Sequence, residues 1–556
     1  MPIPPRASHA PFLRQMTAEV RRGALSRRDF LSRATALGVS AATAYAFVGG
    51  SRPARAQTSA RGGTLRMQME VRAQKDPRLY DWTQMAYVTA GTLEYLVDYR
   101  SDGSFHPMLL AGWEANADAT EYRLSVRAGV TWSNGEAFTA EDVARNIHRW
   151  CDRSVEGNSM ATRMDALIDT ASQRARYGAI TVEDARTVLL RLDRPDISLI
   201  PNMADYPAAI VHENYSSDAP LTELVGTGPM RIESFEEQTR AVLVRTERPW
   251  WGDTGAYPGG GFFLDRIEFI DYGQDPAAWR AAAEAGEVDA LYETVGEFIA
   301  PMDALGWTRS EIATGNTVVI RTNRFHKDAN GLPVYAQAEV RRALAMAVDN
   351  GICLELGYAG RGVEAGNSHV GPMHPAWDST VSRLPYDPKR AGAILAQVGL
   401  SDYEHELFSI DDDWRRNTAD AVAVQLRDAG IKVKRSILPA RAFWSGWTGF
   451  GFSTTNWNHR PLATQTLSLA YKTGEAWNET GFSSAAFDRL LEQANTLSEA
   501  EERREVMGEL QRLLIEDGTI IQPYWRALYR HYSPAFTGLD MHVSYLPQMH
   551  RWARVG

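Results

Sequence analysis

One stretch of this chain gathers side chains suited to holding a small molecule. In Gly451-Phe452-Ser453-Thr454-Thr455-Asn456-Trp457-Asn458-His459-Arg460-Pro461, Trp457 offers a flat face for stacking. Asn458 offers a paired donor and acceptor, and Arg460 a planar guanidinium for a carboxylate or phosphate. His459 is a further donor, and its place beside Arg460 points to an anionic group on the ligand. Trp444 and Trp447 lie just upstream, and Tyr80 and Trp82 far upstream. An indole face suits an organic cation or a sugar ring. The plain alternative for each aromatic is core packing, and for Arg460 a surface charge.

Other chemistry is thinly supported. His369-Val370-Gly371-Pro372-Met373-His374 sets two imidazoles and a thioether close enough to meet a soft or borderline metal, although the same residues make an ordinary loop. The chain has no H-E-x-x-H, G-x-S-x-G, P-loop or C-x-x-C pattern. Sequence alone cannot pair its 69 carboxylates into a hydrolytic site. No catalytic residue and no cofactor is therefore expected. Asp411 to Asp413 read as the charged start of a helix, since the full calcium-loop pattern is missing.

The elements that must position these groups alternate along the chain. Tyr122, Leu124 and Val126 alternate with polar residues, as do Val188, Leu190 and Leu192, Val242 and Val244, and Ile431 and Val433; these predict half-buried strands. Val340, Ala343, Leu344, Ala347 and Val348 fall on one helical face, as do Phe487, Leu490, Leu491 and Ala494, and Val506, Leu510, Leu513 and Leu514. Gly226-Thr227-Gly228-Pro229 opens a predicted strand, and another is expected over 264–270. The pattern is α/β.

Composition narrows the function. The 556 residues suggest three or four domains at roughly 150 residues each. The first 56 residues carry nine Arg against Glu19 and Asp29, leaving 50 basic against 67 acidic residues behind them. That acidic remainder argues against nucleic-acid binding. The basic start, the small-residue apolar run over 34–50 and Ala54-Arg55-Ala56 form a three-part export signal, with the mature chain starting at Gln57. Within it, Ser26-Arg27-Arg28-Asp29-Phe30-Leu31 resembles the twin-arginine motif of folded export.

A longer resemblance then runs in order along the chain. Asp102-Gly103, Pro107, Leu110-Ala111 and Trp113-Glu114 come first. Next is Arg127-Ala128-Gly129-Val130-Thr131-Trp132-Ser133-Asn134-Gly135 with Phe138-Thr139-Ala140-Glu141-Asp142-Val143. Gly226-Thr227-Gly228-Pro229, Arg248-Pro249-Trp250-Trp251, Val340-Arg341-Arg342-Ala343-Leu344, Tyr386-Asp387-Pro388 and Phe487-Asp488-Arg489-Leu490-Leu491 follow. Together they resemble the family 5 extracytoplasmic solute-binding proteins, the dipeptide, oligopeptide and nickel-binding class of ABC importer receptors.

The resemblance implies a type II periplasmic binding protein fold: two lobes, a hinge and an inserted third domain. Lobe I would take residues 57–98, 228–316 and 528–556, the insertion 99–227, and lobe II 317–527. It implies a monomeric periplasmic receptor that hands a peptide or other small polar solute to a membrane permease. The alternatives are an envelope sensor, a nickel or metal-chelate binder, and a hydrolase on the same scaffold. It places Tyr80 and Trp82 in an inner loop of lobe I, and Asn323-Arg324 near a hinge crossing. Peptide-binding members carry an acidic residue near the position of Thr455 or Asn456, where this sequence has none. That puts an ordinary free-amino-terminal peptide in doubt, because a buried ammonium without a partner costs several kcal/mol. Cys151 and Cys353 would fall in parts that move relative to each other, so two free, buried thiols are expected.

Overall fold

The computed structural model describes residues 59–556, apart from 117, 255–260, 375 and 498–499, together with positions 16, 20, 30 and 31. Apart from Met16, Val20, Phe30 and Leu31, the expected export signal lies outside the described residues.

The predicted elements form close to where the patterns put them. The alternating segments become strands Glu121–Val126, Thr187–Arg191, Arg240–Arg245 and Val433–Leu438. The amphipathic segments become helices Ala338–Met346, Ala485–Thr496 and Ala500–Asp517. Local chemistry fixes several starts. Thr139 and Asp142 close a capping box on helix Ala140–Trp150. Asp275 and Asp387 cap helices that begin with Pro276 and Pro388. Asp412 caps helix Asp413–Asp428 by accepting the Arg415 N–H at 3.1 Å, so the acidic triplet starts a helix.

A twelve-stranded mixed sheet organises the molecule. One wing is built from Met230–Glu236, Arg240–Arg245, Arg266–Ile270, Thr64–Gln68 and Ala290–Leu291; the other contains Phe452–Trp457, His405–Ile410 and Val433–Leu438. Two long antiparallel strands, Thr308–Thr322 and Tyr524–Tyr532, join the wings. Their register shifts between Ala313 and Asn316. There the longer strand changes from a partly exposed ribbon to a fully buried one. A separate four-stranded antiparallel sheet, Leu110–Ala115, Glu121–Val126, Thr187–Arg191 and Ile180–Asp184, packs with helix Ala140–Trp150.

The cores follow the wings. One apolar cluster runs from Leu65 and Phe269 through Leu124, Trp132 and Ile147 to Leu539 and Trp552, so a single core serves the first wing and the four-stranded sheet. A second is centred on Val318, Leu344, Leu407, Trp414 and Leu426. A third gathers Trp457, Leu467, Trp477, Phe487 and Leu510. The Gly226-Thr227-Gly228-Pro229 stretch is where two backbones touch. A Cβ on Gly226 would lie 2.0 Å from the Thr92 carbonyl oxygen, and one on Gly228 would lie 2.4 Å from that of Gly91.

Candidate functional site

Strand Phe452–Trp457 ends at the junction of the wings, and the residues after it turn into a small cavity. Asp81 and Trp82, Tyr206, Trp444 and Trp447, Thr455, Asn456, Trp457, Asn458 and Arg460, and Trp477 line it. Its volume is about 30 Å³, room for roughly a water or two. The Trp82 and Trp444 rings meet edge to face at 4.2 Å, with the Arg72 guanidinium 4.7 and 5.5 Å from them. Trp477 meets Trp457 edge to face at 5.8 Å and stacks on Tyr206 at 6.4 Å. Aromatics carried by segments far apart in sequence thus form one box.

The polar side of the box is unevenly satisfied. Arg415 donates to Asn456 Oδ1 at 2.7 Å and to Asp412 Oδ2 at 2.7 Å. The Tyr206 hydroxyl donates to the Asp81 carbonyl at 3.0 Å. Lys75 holds one oxygen of the Asp81 carboxylate at 2.9 Å. The other Asp81 oxygen, the indole N–H groups of Trp82 and Trp444, and Arg460 Nε are buried with no hydrogen-bond partner among the described residues.

Beneath the strand lies a carboxylate that the sequence did not announce. Glu479 accepts from Thr455 Oγ1 at 2.7 and 2.8 Å, from Trp457 Nε1 at 2.9 Å and from Arg321 Nε at 3.0 Å. An acidic group therefore does stand beside Thr455, supplied by a distant segment. Its charge is already matched by Arg321, whose side chain is 0% exposed against 2% for Glu479. Burial works against the charged Arg321 and lowers its pKa, while Glu479 raises it.

Eight of the twelve predicted site residues line the cavity: Trp82, Trp444, Trp447, Thr455, Asn456, Trp457, Asn458 and Arg460. Four do not. Tyr80 closes the short turn Pro77–Leu79 and points inward, its hydroxyl on Gln74 at 3.0 Å and Thr89 at 3.3 Å. His459 lies between two cavity residues and is not among the residues lining the cavity. Its Nδ1 accepts the Gly315 N–H at 3.0 Å, and its ring stacks on His374 at 6.3 Å. Asn323 ties down a loop by donating to the Thr448 carbonyl at 2.9 Å. Arg324 pairs with Asp517 at 2.5 Å and covers Phe482. Both serve packing within the second wing.

Both imidazoles of the metal reading are engaged within the protein, His374 by the Gly371 N–H and His369 by the Tyr471 hydroxyl. Nδ1 of His374 accepts the Gly371 N–H at 3.1 Å and Nδ1 of His459 accepts Gly315. Each neutral ring therefore keeps its proton on Nε2, with no lone pair there for a metal. His369 Nδ1 is engaged by the Tyr471 hydroxyl at 2.8 Å. Burial pushes His374 down to about 4. No group of three or more His, Cys, Asp or Glu that could hold a metal ion occurs among the described residues. Cys151 and Cys353 are free and buried, and burial pushes both thiols up to about 12.

A larger cavity of about 320 Å³ is lined by Gln74, Lys75, Tyr215, Leu224, Val225 and Phe235 among others. No buried unpartnered side-chain atom belongs to its lining. The chemistry therefore favours the smaller box.

Fold and site together define a mixed α/β protein in which two wings of one sheet meet beside an aromatic-walled cavity. The chain belongs to the bacterial extracellular solute-binding proteins, family 5, whose model matches residues 104–479. Among its relatives, the nickel-binding periplasmic protein of Escherichia coli K12 is 26% identical over 333 residues, 58% of each chain. The dipeptide-binding protein DppE of Bacillus subtilis 168 is 21% identical over 463 residues, 78% of this chain and 81% of that one. The structure of the oligopeptide-binding protein AppA from Bacillus subtilis with a nonapeptide superposes with a TM-score of 0.77 at 16% identity, covering 90% of this chain and all of that one. AgaA of A. tumefacien R10 with agropinic acid also gives 0.77, at 20% identity and 88% and 99% coverage. The fold is that of the type II periplasmic binding proteins. No helix among the described residues is long and apolar enough to cross a membrane.

Proposed function

We propose that this chain is the periplasmic receptor of an ABC importer: it closes on a small polar solute and delivers it unchanged to the membrane permease, working as a monomer. The observation that carries the reading is the box itself. It is walled by Asp81 and Trp82 from one side and by Trp444, Trp457, Arg460 and Trp477 from the other, and it holds unpartnered buried polar atoms. Such atoms are costly unless a ligand or water satisfies them. We assign the lobes as 57–98, 228–316 and 528–556 for the first, 317–527 for the second and 99–227 for the insertion. The hinge is taken at the register shift between Ala313 and Asn316, where a few residues can absorb the change in backbone angles. Closure then selects the form a permease recognises. The relatives that bind dipeptides, oligopeptides and nickel support transport as the role.

The test is native mass spectrometry of freshly purified mature protein. A bound solute is expected, and it should be lost on unfolding and regained when added back to refolded protein. Trp82→Ala and Trp444→Ala should each weaken its retention. If both variants, correctly folded, hold the solute as tightly as the parent, the box is not the site.

A further inference from the structure

The balance of unpartnered atoms says what kind of solute the box is built for, granted that the box is the solute site. Arg460 has five N–H donors and is almost fully buried, yet it uses them poorly. One reaches Asp205 at 3.3 Å and one the Asn458 carbonyl at 3.3 Å, and Nε has no partner. Asp205 is mostly engaged elsewhere, because Arg163 donates to it through Nη2 at 2.7 Å and Nε at 3.1 Å. Two buried guanidinium groups thus share one carboxylate, and both lie against the Trp477 ring, 5.0 and 5.6 Å from its centroid. The N–H groups of Trp82 and Trp444 add two more unused donors. Among the buried lining atoms these three donors stand against one acceptor without a partner, the free oxygen of Asp81, while the Asn458 amide adds one donor and one acceptor group at the partly exposed rim. The Glu479 carboxylate, which could have drawn a cation, is filled by Arg321, Thr455 and Trp457.

We propose that the solute is a carboxylate-bearing organic anion. Its carboxylate completes the guanidinium of Arg460, its remaining oxygens accept from the Trp82 and Trp444 indoles, and a single hydroxyl or amine donates to Asp81. A buried guanidinium short of acceptors favours an oxyanion of planar, bidentate geometry. Surplus buried donors reject a partner that brings donors of its own.

The experiment is a binding screen of the full mature chain against matched small carboxylic acids and their primary carboxamides, with phosphate monoesters as a third arm. The acid set holds hydroxy acids, sugar acids, amino acids and N-alkylated amino acids. Thermal shift and calorimetry are the readouts. Hits are expected among the acids, with the paired amide at least about 30-fold weaker, the scale of a hydrogen bond to a charged group. Arg460→Gln should lose about 30- to 100-fold for the same acid, and Arg460→Lys should recover part of it. Preference for amides, cations or phosphate esters would overturn the proposal, and so would full affinity in folded Arg460→Gln or no binding in any arm. Native mass spectrometry separates the two readings. A solute that co-purifies but is neutral or cationic sinks the anion class and leaves the receptor standing.

Discussion

Replacing Glu479 by Gln changes one atom and should cost much of the stability of the second wing. The carboxylate has two oxygens, and the structure uses both: one takes the Trp457 N–H at 2.9 Å, the other Arg321 Nε at 3.0 Å, and Thr455 reaches each. The amide has one oxygen and one NH2, so either the indole or the guanidinium must face a donor. Arg321 would keep its bonds to the carbonyls of Phe450, at 2.6 Å, and Trp447, but nothing would balance its charge at 0% exposure. Breaking a buried pair on one side costs about 3–5 kcal/mol. At about 2–4 °C per kcal/mol for a unit of 150–250 residues, the melting temperature should fall by about 6–20 °C. Several cores make a single unfolding free energy ill-defined, so the calorimetric transition is the readout. A fall below about 2 °C would refute the claim that this pair carries the region. The same variant separates structure from binding. With no free lone pair offered to the box, Glu479→Gln should keep solute affinity within about threefold below its melting point. A hundredfold loss in folded protein would mean that the carboxylate meets the solute directly.

Burial holds His106, His374, His405 and His550 near 4, well below the unfolded value of about 6.5. The unfolded chain therefore binds the extra protons, and stability should fall progressively from pH 6.5 toward 4 in a calorimetric series; a flat profile there would contradict their burial. Asp413 acts in the opposite sense. Burial first, then Asp412 and Glu297, raise its pKa to about 6, so above that pH the folded chain carries a charge its surroundings oppose and stability is lost as pH rises from about 4 to 6. Asp413→Asn should raise the melting temperature at pH 7.5 and lose the advantage by pH 4. Cys151 and Cys353 should resist a thiol reagent in native protein and both react after denaturation; rapid native labelling would show that they are reached by solvent. Residues 153–205, within the proposed insertion, meet the 460–475 segment through Asp205–Arg460, Arg153–Glu475, Lys472–Asp165 and Asn202–Gln465 contacts. Lys472→Ala should therefore favour the open form and weaken solute binding about three- to tenfold, read by scattering and calorimetry. Unchanged affinity would mean that these contacts do not hold the closed state.

The fold was legible because its signals are local. Alternation marked the strands, one-sided apolar spacing marked the helices, and Asp412 announced its helix by type and place. The candidate site was legible where it follows one strand: Thr455, Asn456, Trp457, Asn458 and Arg460 come together because they are near neighbours along the chain. It was illegible where segments meet in space. Asp205, Tyr206, Trp477 and Glu479 lie in stretches with no distinguishing pattern, and nothing in the sequence pairs Arg321 with Glu479. Their roles come from tertiary contacts between segments distant in sequence, as between Glu479 and Arg321, 158 positions apart, or Tyr206 and the Asp81 carbonyl, 125 positions apart. His459 misled for a related reason. Its neighbours in sequence line the box, while its own ring is claimed by Gly315 and His374. Tyr80, Asn323 and Arg324 were polar or aromatic for packing, which composition alone does not distinguish from binding.

The central claim is that two lobes close on an anionic solute held at Arg460. The most direct measurement is small-angle scattering on stripped and refilled protein, for the parent and for Arg460→Gln. Addition of the co-purified solute should shrink the radius of gyration of the parent and leave that of the variant unchanged at the same concentration. Superimposable curves for the parent with and without solute would contradict the account, as would equal compaction in both proteins.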